Sequence, residues 1–272
     1  MINGVIFDVD GVILDSMELW NNAPVWYLQK HGIQAEENLG RKMFEMTMDE
    51  GALYLQEQYL PDLSVEQILM GVKETVFEYY QNEVQMKPGI EETLEWISGQ
   101  KIPMTVATST AKESINAAFE RLHIGKFFQK ILTCEEIGVG KNEPDIYLRA
   151  QQYMRTTSDA KPDAKPDVKP GATSDTTSNT IQDKISDTAS GKTSGATSDI
   201  IPNTTLVMED SLFAMRTAKK AGFLVAGVYD KESKSDQEEI KKLADYYVTV
   251  FSAKEISRII GARIDFIDEL GE

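Results

Sequence analysis

Short apolar runs alternate with amphipathic stretches along most of this chain, a pattern typical of an α/β protein with a mostly parallel sheet. The predicted strands are Gly4–Phe7, Met104–Ala107, Lys130–Leu132, Leu206–Met208, Val225–Val228 and Tyr246–Val248. The predicted helices between them are Glu91–Ser98, Lys112–Leu122, Glu143–Met154, Leu212–Ala221 and Gln237–Ala244. We therefore expect a sheet whose strands are joined by helical crossovers.

A different pattern separates the first two predicted strands. Residues 17–85 show helical periodicity and no clear strand, with helices predicted at Glu18–Lys30, Asp49–Tyr59 and Val65–Gln81. A Pro-Gly turn at residues 88 and 89 then restores the α/β pattern. We predict that 17–85 forms a smaller helical domain, inserted into a core made of 1–16 and 86–272.

Residues 156–200 depart from globular composition. They contain no aromatic residue, are rich in Ser, Thr, Asp, Lys and Pro, and open with a degenerate repeat, AKPD-AKPD-VKPG. Such a segment buries too little apolar surface to offset the entropy of ordering it. We predict a disordered insertion in the core, either simply tolerated or serving as a tether, modification site or partner-binding arm.

Charge and composition exclude some classes of function. The 272 residues carry a formal net charge of −16, which disfavours binding to a phosphate backbone. The single cysteine, Cys134, cannot form an internal disulfide, and the sequence has neither a long apolar run nor a signal-peptide pattern. We expect a cytoplasmic monomer that binds neither nucleic acid nor membrane.

Polar residues follow the first two predicted strands. Asp8 and Asp10 lie where the first strand ends in a Gly turn, and Thr108, Ser109 and Thr110 end the second strand. The carboxyl ends of parallel strands are where open sheets bind ligands. Each group also has a simple structural interpretation: a solvated Asp-Gly turn, or a helix N-cap at Thr110 or, less well, Thr108.

Two later features strengthen the functional interpretation. Lys141 follows flexible glycines before a helix, and Glu209 and Asp210 follow the fourth predicted strand. By itself Lys141 would be an ordinary surface lysine. If the acids converge with Asp8 and Asp10, their repulsion requires positive charge, which Lys141 and a hard divalent cation such as Mg²⁺ can supply.

Together FDVDGV, the hydroxyl at Thr108, GKNEPD and EDS resemble, in this order, the haloacid dehalogenase-like hydrolase superfamily. The resemblance covers the chain apart from 156–200 and is nearest to small-molecule phosphatases and the beta-phosphoglucomutase type. It implies a Rossmann-like parallel sheet core with an inserted all-helical cap domain. It also implies a Mg²⁺-dependent phosphatase that acts on a small phosphorylated metabolite, possibly a sugar phosphate.

The resemblance also implies a role for each residue. Asp8 would be the nucleophile that forms an aspartyl-phosphate, and Asp10 would be the general acid and base. Mg²⁺ would be held by the Asp8 carboxylate, the Asp10 backbone carbonyl and the Asp210 carboxylate, with Glu209 acting mainly through water. Phosphate binding would fall to Thr108, Ser109 and Lys141.

Two departures bear on the main alternative, a sugar phosphomutase. Mutases of this type carry a His four residues after the hydroxyl of an Asp-[Ser/Thr] pair, where this chain has Trp20. They also carry a cap Arg, and an ungapped alignment places Asp49 there. Arg41, Lys42 or Lys73 could substitute for that Arg, so the mutase stays open.

The cap sequence allows further interpretations. Trp20 opens the cap and is predicted to pack between cap and core. Met43, Met46 and Met48 are predicted to pack inside the cap, although flexible Met side chains can also line a permissive pocket. A third hypothesis is a non-catalytic interaction protein, which would not require the intact acidic set.

Overall fold

The computed structural model describes residues 2–44, 46–154 and 202–261, with Arg41 and Phe44 described through their backbone alone. The predicted insertion at 156–200 lies outside the described residues. Within the described ranges, no helix combines the length and the apolar character needed to cross a membrane.

Six parallel strands form one sheet in the order β3-β2-β1-β4-β5-β6. Their bounds are β1 (Gly4–Phe7), β2 (Met104–Thr108), β3 (Lys130–Thr133), β4 (Thr205–Glu209), β5 (Leu224–Val228) and β6 (Tyr246–Val248). The predicted α/β fold with a Rossmann-like parallel sheet is confirmed. From β1 the strand order runs outward to β2 and β3 on one side and to β4, β5 and β6 on the other. At such a switch point an open parallel sheet forms a crevice that binds ligands.

Four helices follow β1 before the turn at residues 88 and 89 and agree with the predicted all-helical segment. They are α1 (Met17–Lys30), α2 (Leu39–Phe44), α3 (Met48–Gln58) and α4 (Val65–Asn82). Reciprocal hydrogen bonds between Thr47 and Glu50 start α3 one residue before its predicted start. The sequence did not predict α2, which is only six residues long and contains a glycine.

Seven further helices follow within the described residues. They are α5 (Ile90–Gly99), α6 (Lys112–Arg121), α7 (Cys134–Ile137), α8 (Asp145–Gln152), α9 (Leu212–Lys220), α10 (Gln237–Leu243) and α11 (Ala253–Ile260). The predicted start of α8 at Glu143 was wrong, because Pro144 is the N-cap and disfavours helical backbone at the residue before it. The short α7 and the C-terminal α11 were not predicted.

The sheet is buried on both faces because its strands are almost entirely apolar. Alternate residues of β1 enter different cores: Val5 and Phe7 join the cluster on one face, and Ile6 joins the cluster on the other. A third cluster, including Leu28 and Leu55, holds α1–α4 together. Burial of these apolar side chains fixes the sheet and therefore the edge at which polar residues emerge.

Two adjacent segments, residues 13–15 and 85–87, connect the four helices with the sheet. The Asp15 N–H donates to the Gln85 carbonyl and the Lys87 N–H donates to the Ile13 carbonyl, each at 2.9 Å. The guanidinium of Arg121 on α6 also donates to the carbonyl of Val84 just beyond α4. These contacts set the position of α1 and α4 above the carboxyl edge of the sheet.

Candidate active site

A buried ion-pair cluster occupies the carboxyl edge between β1 and β4. The Lys141 Nζ lies 2.5 Å from Asp8 Oδ1 and 2.8 Å from Glu209 Oε1. The hydroxyl of Tyr147, on α8, donates to the same Glu209 oxygen at 2.7 Å. Lys141 therefore lies between the acids that end the two central strands, and the simple interpretation of it as a surface lysine is wrong.

Asp210 joins this cluster from the end of β4. One carboxylate oxygen from each of Asp8, Glu209 and Asp210 lies within 4.8 Å of the others. Gly11 makes room for this approach, because a Cβ on Gly11 would lie 2.2 Å from Asp210 Oδ2. Its φ of +70° is also one that other residues rarely adopt, so both geometry and space require glycine in the turn after β1.

Burial and charge shift the ionisation of these groups. Burial and the nearby Glu209 carboxylate raise the pKa of Asp8 well above its ordinary value, although Lys141 opposes the shift. Burial and Asp8 raise the pKa of Asp210 to about 8. Burial acts to lower the pKa of Lys141, but attraction to Asp8 and Glu209 outweighs it and raises that pKa. The lysine is thus held as a cation among acids that repel one another.

Asp10 is oriented by three hydroxyl groups from separate parts of the chain. Ser16 Oγ donates to Asp10 Oδ1 at 2.5 Å, Thr110 Oγ1 donates to Oδ2 at 2.5 Å, and the Tyr80 hydroxyl donates to Oδ1. Burial and the Asp10 charge raise the pKa of Tyr80 well above its usual value, so its phenol stays a donor. Both carboxylate oxygens are therefore fixed in place.

The three residues that end β2 have different environments. Thr108 is fully buried and its hydroxyl accepts the Thr110 N–H at 3.1 Å. Ser109 is exposed and its hydroxyl lies 3.4 Å from Cys134 Sγ. The N-cap of α6 is Ala111, so the N-cap interpretation of Thr110 and Thr108 is wrong. The Thr110 hydroxyl donates to Asp10 instead, and the Thr108 hydroxyl accepts from the backbone of Thr110.

The residues present fit a hard divalent cation. Oε2 of Glu209 is buried and has no hydrogen-bond partner among the described residues. When all are ionised, the three clustered carboxylates and the Lys141 ammonium carry two excess negative charges. A bound Mg²⁺ would balance these two charges. Carboxylate oxygens are also the ligand type that Mg²⁺ prefers.

Sequence reasoning did not assign functions to several of these groups. Tyr147 lies two residues after the GKNEPD motif, and its distance of six residues from Lys141 is the one available signal. Ser16 was considered only as part of the Asp15-Ser16 pair. Tyr80 is one aromatic residue on an amphipathic helix 70 residues from Asp10, and nothing in the sequence links the two.

A comparison with known protein families agrees with the motifs found at this edge of the sheet. Residues 5–198 match the model of the haloacid dehalogenase-like hydrolase family. The chain belongs to this family. Its sheet, site and family together identify it as a hydrolase with the fold that the sequence motifs predicted.

Three similar proteins are named phosphatases. A phosphorylated carbohydrates phosphatase of Thermotoga maritima is 29% identical over 147 residues, which are 54% of this chain and 68% of that protein. A probable pseudouridine-5'-phosphatase of Drosophila melanogaster is 26% identical over 53% of this chain and 64% of its own length. A chloroplastic 5-amino-6-(5-phospho-D-ribitylamino)uracil phosphatase of Arabidopsis thaliana is 24% identical over 56% of this chain and 41% of its own. These relatives and the family support a phosphatase.

Solved structures share the fold. A Thermotoga maritima protein described as a candidate beta-phosphoglucomutase has a TM-score of 0.68 at 22% identity, covering 96% of this chain and all of that chain. CbbY from Rhodobacter sphaeroides, in complex with phosphate, has a TM-score of 0.62 at 19% identity, covering 93% and 96%. At these identities the likeness establishes the architecture alone.

Proposed function

We propose that this protein is a Mg²⁺-dependent phosphatase that hydrolyses a small phosphomonoester through an aspartyl-phosphate on Asp8. The observation that carries the proposal is the pairing of two acids with different environments. Asp8 is buried and ion-paired with Lys141, whereas Asp10 is half-buried and accepts hydrogen bonds from hydroxyls. Different environments suit different roles in one reaction.

In the first step, a carboxylate oxygen of Asp8 attacks phosphorus and the bond from phosphorus to the leaving oxygen breaks. Asp10 gives its proton to that oxygen, so the product leaves as a neutral alcohol. Lys141, Thr108 and Ser109 hold the phosphoryl oxygens as charge redistributes. The neutral hydroxyl of Thr108 adds a hydrogen bond without adding charge.

In the second step, water attacks the aspartyl-phosphate on Asp8. Asp10, now ionised, takes a proton from that water, and the bond between phosphorus and the Asp8 oxygen breaks. Inorganic phosphate leaves and both acids return to their starting states. The hydroxyls of Ser16, Thr110 and Tyr80 keep Asp10 oriented for both proton transfers.

The proposed metal site uses the Asp8 and Asp210 carboxylates and the Asp10 backbone carbonyl, with Glu209 contributing through water. When bound, Mg²⁺ would neutralise charge on the phosphoryl group and on the clustered acids. Glu209 would also keep Lys141 in position, since the two groups already form an ion pair at 2.8 Å.

We also propose that residues 17–85 act as a cap that closes over this site and excludes water. Tyr80 supports this proposal because it belongs to α4 yet contacts Asp10. The names of the relatives favour a small phosphorylated metabolite as substrate.

The test is phosphate release from a panel of phosphomonoesters with and without Mg²⁺. Asp8→Asn should lower turnover by several orders of magnitude, whereas Asp15→Asn, an exposed acid nearby, should not. Asp10→Asn should slow both steps, and mass spectrometry after a rapid quench should find phosphate on Asp8 in the wild type. Near-normal turnover by Asp8→Asn would contradict the proposal, and transfer to a sugar without free phosphate would favour a mutase.

A further inference from the structure

An apolar cavity lies inside the four-helix segment and is lined by residues of α1, α2, α3 and α4. Its volume is about 170 Å³, and its walls include Trp20, Met43, Met46, Val72 and Val76. An apolar protein cavity of about 150 Å³ is known to stay dry and to accept benzene. This cavity can therefore hold one six-membered ring or a short aliphatic chain.

Two residues of the cavity wall are helical neighbours of residues that contact Asp10. Trp20 follows Ser16 by four residues, and Val76 precedes Tyr80 by four residues on α4. Residues at this spacing are neighbours along a helix, about 5–6 Å apart. Because Ser16 and Tyr80 both donate to Asp10, two residues of the cavity wall lie about one helical turn from side chains that contact the proposed acid.

The chemistry of the walls selects an apolar ligand. Among the lining residues that the structure describes, Thr47 supplies the one hydroxyl, Trp20 the one other side-chain polar group, and none is charged. A sugar hydroxyl buried there would lose its water and find few partners, which is unfavourable. Met43 and Met46 are flexible enough to close on ligands of different shape.

We infer that this cavity binds the apolar or aromatic part of the alcohol that is esterified to phosphate. The preferred substrates are then phosphomonoesters with a ring or short aliphatic group next to the leaving oxygen, rather than phosphorylated sugars. This inference rests on the proposed phosphatase function. In this inference the cavity determines which leaving group is bound, and Asp10 protonates that leaving group.

The test compares kcat/KM for benzyl phosphate, methyl phosphate and glucose 6-phosphate in the full chain with Mg²⁺. All three are esters of simple alcohols, so none has an activated leaving group. We expect benzyl phosphate to exceed both others at least tenfold. A preference for glucose 6-phosphate would overturn the inference but leave the phosphatase function intact, whereas no phosphate release from any ester would contradict that function itself.

Variants of the cavity wall give the second comparison. Val72→Phe fills the cavity and should lower the ratio of kcat/KM for benzyl to methyl phosphate at least tenfold. Val76→Thr keeps the shape but adds a hydroxyl, and should lower the ratio at least fivefold. Val65→Phe, on the same helix but outside the cavity lining, should leave it unchanged. An unchanged ratio in folded Val72→Phe and Val76→Thr proteins would overturn the inference.

Discussion

Several charged side chains at this site are buried away from water. Asp8, Glu209 and Asp210 are all less than a tenth exposed, and Lys141 is the cation that contacts two of them. A buried carboxylate is costly unless it is paired, and pairing here is incomplete. The arrangement disfavours the metal-free folded state and favours binding of a further cation.

Asp210→Asn tests this electrostatic cost. The pKa of Asp210 is about 8 in the folded protein, above its ordinary value of 3.8, so at neutral pH this carboxyl disfavours folding. We expect the variant to raise the Tm of the metal-free protein by a few degrees. We also expect Mg²⁺ to raise the Tm of the wild type but hardly that of the variant, as measured by calorimetry.

The matched control is Asp62→Asn, which changes an exposed acid in the same way. It should alter neither the metal-free Tm nor the increment on adding Mg²⁺. If Mg²⁺ raised the Tm of Asp210→Asn as much as it raises that of the wild type, Asp210 would not belong to the metal site. This conclusion would hold whatever the Tm of the metal-free variant is.

At the scale of elements, α4 connects the helical segment with the carboxyl edge of the sheet. It packs against α6 of the core, and Arg121 on α6 donates to carbonyls at the C-terminal end of α4. Tyr80, near this end, reaches Asp10 with its hydroxyl. The orientation of one side chain on the β1 turn thus depends on the position of a helix 70 residues further along the chain.

Tyr80→Phe tests whether this contact positions Asp10 for proton transfer. Losing one hydrogen bond should cost about 1 kcal/mol in stability. We expect turnover to fall about tenfold for alkyl phosphates, whose leaving oxygen needs a proton. For p-nitrophenyl phosphate, whose leaving group is weakly basic, the fall should be much smaller.

Tyr79→Phe is the control, because Tyr79 neighbours Tyr80 on α4 and packs against Trp26. It should not change the turnover of alkyl phosphates relative to the turnover of p-nitrophenyl phosphate. An equal fall for both substrates in Tyr80→Phe would indicate a structural contact and not a positioning role.

At the scale of the whole molecule, segments far apart in sequence complete one site. The helices α1–α4 interrupt the core after β1, and 156–200 lies between α8 and β4. The described parts on either side of that insertion are well packed: Met154 is 6% exposed and β4 is fully buried. The six strands that the structure describes therefore all come from segments outside 156–200.

Replacing 156–200 with a short Gly/Ser turn should preserve phosphate release and slightly raise Tm. Shortening a loop from about 45 to about 6 residues removes roughly three doublings of length, worth ~2 kcal/mol of closure entropy. The measurements are Tm and kcat/KM of the deletion variant beside the full chain. A folded variant without activity would show that the insertion is part of the site.

The sequence by itself determined the strands, the α/β class and the residues at the ends of β1 and β4. Apolar strand patterns are local, and parallel strands bring their carboxyl ends to one edge, so Asp8 and Glu209 could be placed together from the pattern alone. The same pattern pointed to Lys141 and Asp210, and the motif resemblance added the roles expected for them. Helix ends were less predictable, because capping by Thr47 or Pro144 decides them residue by residue.

Only the tertiary structure decided which polar groups surround these residues. The Tyr80 and Thr110 hydroxyls meet Asp10 because α4 packs against α6 and β2 pairs with β1, and no local pattern encodes those distances. The same holds for Tyr147 against Glu209. The cavity in the four-helix segment arises between helices whose facing side chains leave space. That space depends on how the helices pack and not on the periodicity that predicts each helix.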